Sequence, residues 1–151
     1  MKSLLKPALI LLFAILGFTA CEGPQGPPGM DGYAYLDARY YNVTQWALAA
    51  NGRYFFAEVN APAITASVFD YGAIVGYLVY NYNTHREVHI PLPYDIYYNE
   101  FDQYGNIIFQ WTETVSFDVM PGRITFYYEP NDFDTNATIP PACMFKVVAM
   151  W

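Results

Sequence analysis

Fifteen tyrosines occur in a chain of 151 residues, and they cluster as Tyr40-Tyr41, Tyr80, Tyr82, Tyr94, Tyr97-Tyr98 and Tyr127-Tyr128. A tyrosine ring has an apolar body and a hydrogen-bonding tip, so exposed rings stack on sugar faces or anchor a protein interface. Tyrosine is also a good strand former, and cross-strand packing is the competing explanation for most of these rings. One segment combines rings with acids: Pro93-Tyr94-Asp95-Ile96-Tyr97-Tyr98-Asn99-Glu100, continuing through Asp102 to Asn106. Its prolines predict incomplete participation in a sheet, which leaves some rings in solvent beside the carboxylates. The expectation is a binding surface of Tyr94, Tyr97, Tyr98, Asp95, Glu100 and Asp102, suited to a sugar or a neutral-to-basic protein patch. The competing expectation is a lid of rings over an open end of the fold.

Other chemistry is thinly represented. Acid pairs for glycoside hydrolysis can be drawn from Asp95, Glu100, Asp102 and Glu113, but any acidic β-protein supplies such pairs. Nucleophilic catalysis needs a Ser, Cys or Thr beside a base, and His85 and His89 are the two neutral-pH bases. No Gly-x-Ser-x-Gly elbow and no His-Glu-x-x-His zinc helix is present. His85 and His89 lie in a turn-then-strand pattern and read as turn and surface residues. Glu129, Asp132 and Asp134, interleaved with Asn131 and Asn136, supply oxygen ligands but lack the glycine and terminal glutamate of an EF-hand loop, so a solvated acidic loop is the expectation. No cofactor, no metal and no catalytic residue is expected, and the chain reads as a non-enzyme.

These residues need a scaffold, and composition indicates which. Hydrophobic residues make up 54% of the chain and charged residues 14%, so most of it folds, and 151 residues suit one domain. Fourteen acidic residues against seven basic give a charge of −7, which excludes nucleic acid as a partner. Strand-type residues dominate Tyr33 to Val43, Arg53 to Asn60, Ala73 to Tyr82, Glu87 to Leu92, Ile107 to Asp118, the run from Ile124, and Cys143 to Trp151. Asn51-Gly52 and Met120-Pro121-Gly122-Arg123 are turns, the second with a positive φ at Gly122, and Asn99 to Asn106 is loop. Thr65 and Gly72 bracket a single helical turn over 65–71. Pro91-Leu92-Pro93 belongs at an edge or a corner. Ile124, Phe126 and Tyr128 alternate with Thr125, Tyr127 and Glu129, so one face of that strand is wetter. About seven or eight strands without strand–helix–strand alternation predict an all-β fold, an antiparallel two-sheet β-sandwich of Ig-like or jelly-roll type over 33–151.

The N-terminus reads as targeting. Lys2 and Lys6 precede an uncharged run from Ala8 to Phe18, the n-region and h-region of a signal peptide over 1–20. The run falls short of the about 20 apolar residues a membrane span needs and ends in Phe18-Thr19-Ala20-Cys21. That ending resembles the lipobox of bacterial lipoproteins, which implies acylation of Cys21 and anchoring to the membrane through an N-terminal lipid. An ordinary signal peptide ending near a cysteine is the alternative. Loss of Lys2 and Lys6 leaves 5 basic against 14 acidic residues, a charge of −9, so lipid and not charge holds the mature chain to a membrane. Cys143 is then unpaired, and in its apolar run it is expected to be buried.

Residues 21–32 place Gly at 23, 26, 29 and 32 with prolines between, the spacing a collagen triple helix needs. So short a stub reads as a polyproline tether that lifts the domain about 30 Å, with trimer initiation as the alternative. Together with Gly72-Ala73-Ile74-Val75, Tyr77-Leu78-Val79-Tyr80, Pro91-Leu92-Pro93-Tyr94, Pro121-Gly122-Arg123-Ile124 and Phe145-Lys146-Val147-Val148, this chain resembles small collagen-like lipoproteins of Gram-negative gut-type bacteria. The resemblance implies an outer-membrane, cell-envelope lipoprotein with a β-sandwich body and transfers no catalytic residue. The expected function is a binding or adhesion domain for a protein or glycan. A multimerising assembly subunit, hence a homo-oligomer, is the second expectation, and a glycan-processing hydrolase the third.

Overall fold

Alternating sequence builds the two central strands. Ile124, Phe126 and Tyr128 are buried on the inner face of one strand, where Thr125 between them is buried as well, and Cys143, Phe145, Val147 and Ala149 alternate with half-buried neighbours near the C-terminus. The protein is seen here as a computed structural model that describes residues 35–136 and 140–151. The signal segment, Cys21 and the Gly-Pro stub lie outside the described residues. The elements are β1 (Leu36–Val43), β2 (Ala47–Leu48), β3 (Phe55–Ala61), α1 (Ala66–Tyr71), β4 (Ala73–Tyr80), β5 (Val88–Pro91), β6 (Tyr94–Phe101), β7 (Ile107–Met120), β8 (Gly122–Pro130) and β9 (Cys143–Met150).

They form two antiparallel sheets, a four-stranded one ordered β1-β9-β4-β5 and a five-stranded one ordered β2-β3-β8-β7-β6. The predicted two-sheet all-β sandwich is therefore the observed architecture. The first strand pairs with the last, β3 with β8 and β4 with β9, so strands distant in sequence are neighbours in both sheets, unlike the first-with-second pairing of an immunoglobulin sheet. Phe126 of one sheet and Phe145 of the other stack with centroids 4.0 Å apart, and Trp46 closes over Phe145 and Tyr128. Burying each such ring stabilises the fold by roughly 1.5–3 kcal/mol. At Gly76 a side chain has no room, because a Cβ would lie 2.6 Å from the Phe117 ring of the opposite sheet.

Local chemistry sets the connections. Thr65 accepts from the Val68 amide at 3.3 Å and caps α1, which sinks Val68 into the interior before Gly72 ends it. Gly122 has φ +80°, as its turn requires. Pro91 closes the edge strand β5, and Leu92-Pro93, a cis peptide, is the corner that carries the chain to the other sheet.

One expectation is corrected here. Tyr94–Phe101 is a strand, paired with β7 from Tyr94↔Val115 to Phe101↔Ile107. The prolines lie at the corner before it and remove no donor from its pairing. Residues 99–101, expected as loop, are still strand, and the turn itself is Asp102 to Asn106.

Candidate functional site: an overhanging hairpin

A mismatch in strand length leaves several exposed apolar side chains together on one hairpin. β7 has 14 residues, but its pairing with β8 ends at Glu113↔Pro130, so the first part of β7 is paired with β6 alone. Asn131 continues the ladder for one step, exchanging bonds with Thr112: its amide donates to the Thr112 carbonyl at 2.9 Å, and its side-chain oxygen accepts from the Thr112 amide at 3.2 Å. Beyond that point the β6–β7 hairpin overhangs the sandwich. Phe101, Ile107, Ile108 and Phe109 are each about half exposed, and Tyr97 and Tyr104 are 75% and 80% exposed. The register shifts between Glu100 and Phe101, where Ile108 is passed over, and such a bulge twists the hairpin locally.

The tip is rigid in its chemistry. Asp102 accepts from the Tyr104 and Asn106 amides at 2.8 and 2.9 Å and from the Asn106 side chain at 2.9 Å, and Gly105 supplies φ +85°. The Asn106 side chain, more than the amides, holds the Asp102 carboxyl below its ordinary value.

The base is anchored by a carboxylate turned inward. Glu113 shares the inner face of β7 with Val115 and Phe117 and is 6% exposed. The Tyr128 hydroxyl donates to one of its oxygens, and the Trp111 indole N–H donates to the other at 3.2 Å. Tyr98 stacks on Trp111 at 5.1 Å, nearly parallel, and Phe109 extends the stack at 5.7 Å. Burial, ahead of the bond to Glu113, pushes the Tyr128 phenol far up, and burial is also the main reason Tyr98 is raised. An open depression of about 300 Å³ runs along this region, lined by Tyr97, Tyr98, Asn99, Gln110, Trp111 and Asn131.

The six residues expected to form a binding surface are thus divided. Alternation turns Tyr94 and Tyr98 inward, where Tyr94 packs on the core and Tyr98 on Trp111. Asp95 faces outward and accepts from the Thr114 hydroxyl at 2.7 Å, and Asp102 is committed to the turn. Tyr97 and Glu100 alone of the six are exposed with no bond or stacking contact to another side chain described. The tip residues Phe101, Tyr104, Ile107, Ile108 and Phe109 were not expected in the surface; the signal available in sequence was the apolar run Ile107-Ile108-Phe109 just after a polar turn. Of the acids offered for a hydrolytic pair, Asp95 and Glu113 lie on opposite faces of the sheet.

A second tyrosine-rich surface covers the outer face of the four-stranded sheet. Glu87 accepts from the Tyr40 hydroxyl at 2.9 Å and from the Asn83 amide at 2.8 Å, and lies 2.7 Å from His89 Nε2. Tyr82 packs on Tyr40 at 4.9 Å, Tyr77 on His89 at 5.9 Å, and the Lys146 ammonium sits 5.4 Å over the Tyr40 ring. The bond to His89, then those to Asn83 and Tyr40, hold the Glu87 carboxyl below its ordinary value. His85 stays in the exposed turn.

Neither a family model, nor a curated protein, nor a solved structure matches the chain. Among the described residues no three His, Cys, Asp or Glu side chains are grouped to hold a metal, and the acidic loop is made of side-chain-capped turns in which Asp132 accepts from the Asp134 amide and Asp134 from the Asn136 amide. No helix among them is long and apolar enough to cross a membrane. Cys143 is buried, and burial pushes its thiol up to about 11.

Proposed function

We propose that this chain is a lipid-anchored cell-envelope protein whose β-sandwich is a non-catalytic binding domain that makes contact through the overhanging β6–β7 hairpin. The observation that carries the binding role is the exposure of Tyr97, Phe101, Tyr104, Ile107, Ile108 and Phe109 on one projecting element. Large apolar side chains gathered on a turn that is itself well hydrogen-bonded gain by being covered, and a preorganised element loses little entropy when that happens. Anchoring rests on the sequence alone, on Ala20-Cys21 closing an uncharged run behind Lys2 and Lys6.

A photo-crosslinking residue placed at Tyr104 and, as a control, at Ser116 on the outer face of β7 tests the contact element in the native envelope. The expected result is a discrete adduct from position 104 and none from 116. Equal labelling at both positions, or none at 104, defeats the reading. Anchoring is tested separately: Cys21→Ala is expected to end incorporation of labelled fatty acid and release the protein from the membrane fraction.

A further inference from the structure

Two sheets have four edges, and three of them are blunted against pairing with another chain. β2 has two residues, and β5 has four and closes on Pro91. β1 carries Arg39 and Asp37 on its inner face, opposite Val147 and Ala149, bonded to each other at 2.8 Å. Short strands, proline and inward-pointing charges are the usual protections of an edge. β6 lacks them along most of its length: it is eight residues, contains neither proline nor lysine, and has no neighbour beyond it among the described residues. Its bulge is confined to the far end, between Glu100 and Phe101.

Charge says what fits there. From Glu87 to Gly122 the chain has no Lys or Arg, while β6 and its turn carry Asp95, Glu100 and Asp102. We propose that β6 is the docking edge for an extended segment of a partner protein in which basic and β-branched residues alternate, added as a sixth strand to the five-stranded sheet. Main-chain bonds to β6 supply the affinity; the segment's cations, all on the outer face, meet Asp95 and the Tyr97 ring, while its apolar residues, on the opposite face, lie beside Ile96 and Tyr98. A second copy is disfavoured because two β6 strands bring acids together with no cation between them. A bilayer is disfavoured because inserting Phe101 carries Glu100 and Asp102, which flank it, toward hydrocarbon unpaired. The inference rests on the hairpin being the contact element and names its partner.

The test titrates the full chain, in non-ionic detergent, with three capped octapeptides: alternating Arg-Val, alternating Glu-Val and alternating Arg-Gly. Arg-Val is expected to slow amide exchange in Tyr94–Phe101 and to leave β1 and β5 unchanged. Arg-Gly, equal in charge but a poor strand former, is expected to bind about tenfold more weakly, and Glu-Val not measurably. Asp95→Lys, at an exposed position on the outer face, is expected to weaken Arg-Val binding by about tenfold. Equal binding of Arg-Val and Arg-Gly overturns the inference, since charge alone then suffices. So does concentration-dependent protection of β6 without peptide, which indicates self-pairing, or protection by phosphatidylcholine vesicles. Crosslinking from position 104 without peptide binding removes the docking edge and leaves the hairpin reading standing, whereas absence of both removes both.

Discussion

Two surfaces of this domain are rich in tyrosine, and they have opposite fates. On the outer face of the four-stranded sheet Tyr40 is bonded to Glu87, packed on Tyr82 and covered by Lys146, so its hydroxyl and its ring both have partners. On the overhang Tyr97 and Tyr104 are more exposed, and their rings stack on nothing described. The difference lies in the neighbours. Tyr40 projects over a sheet with strands on both sides of its partner β9, whereas the hairpin has lost β8 from one flank and never had a neighbour on the other. Aromatic density alone therefore does not leave rings uncovered; the rings left bare are those on the hairpin that runs past the end of β8.

The largest effect is expected at the base of the overhang. Glu113→Ala takes an acceptor from the buried Tyr128 hydroxyl and from the partly buried Trp111 N–H and is expected to cost about 3 kcal/mol in urea unfolding, while Glu113→Gln, which keeps an acceptor, costs clearly less. Should the two variants prove equally stable, the inward carboxylate is not what ties the hairpin to the sandwich.

Two neighbouring tyrosines of β6 differ in the same way. Tyr98→Ala removes a ring stacked on Trp111 and is expected to destabilise the fold by about 2 kcal/mol, whereas Tyr97→Ala changes stability by less than about 0.5 kcal/mol. Denaturation midpoints of the two single variants measure this directly. Comparable losses at both positions mark Tyr97 as part of a structural lid and withdraw it from the contact surface.

The smallest effect belongs to the partnered surface. Because Glu87 titrates below its ordinary value when folded, its contribution is fully present above the unfolded carboxyl range near pH 4.5 and is lost as pH falls through the lower folded value. Amide exchange at Asn83 is expected to quicken over that acid window, and Glu87→Gln to remove the pH dependence. The same profile in both proteins means that the Glu87 bonds do not hold the β4–β5 turn.

Much of the scaffold is legible in local sequence. Alternation at Ile124, Phe126 and Tyr128 names the inner face of β8 because side chains of a strand switch sides at every residue. The same period explains the divided pair Tyr127-Tyr128: Tyr128 is buried against Glu113, and Tyr127 faces out to Asp118, whose bond pushes its phenol up to about 12. Thr65 and Gly122 report their cap and turn through side-chain and backbone chemistry confined to a few residues.

The candidate site was less legible because its origin is not local. Read by proline content, Tyr94–Phe101 is irregular; paired with β7 it is a regular strand, and that pairing then decides which of its side chains face inward. No pattern within β7 states that β8 will stop at Pro130, yet that stop exposes Ile107, Ile108 and Phe109 and sets Glu113 at the boundary between core and overhang. By itself the sequence determined the two-sheet class, the turns and the buried face, since these follow from residue-by-residue alternation and backbone preference. Tertiary structure alone decided where the sheets end relative to each other, because strand length mismatch and free edges exist only once distant segments have paired.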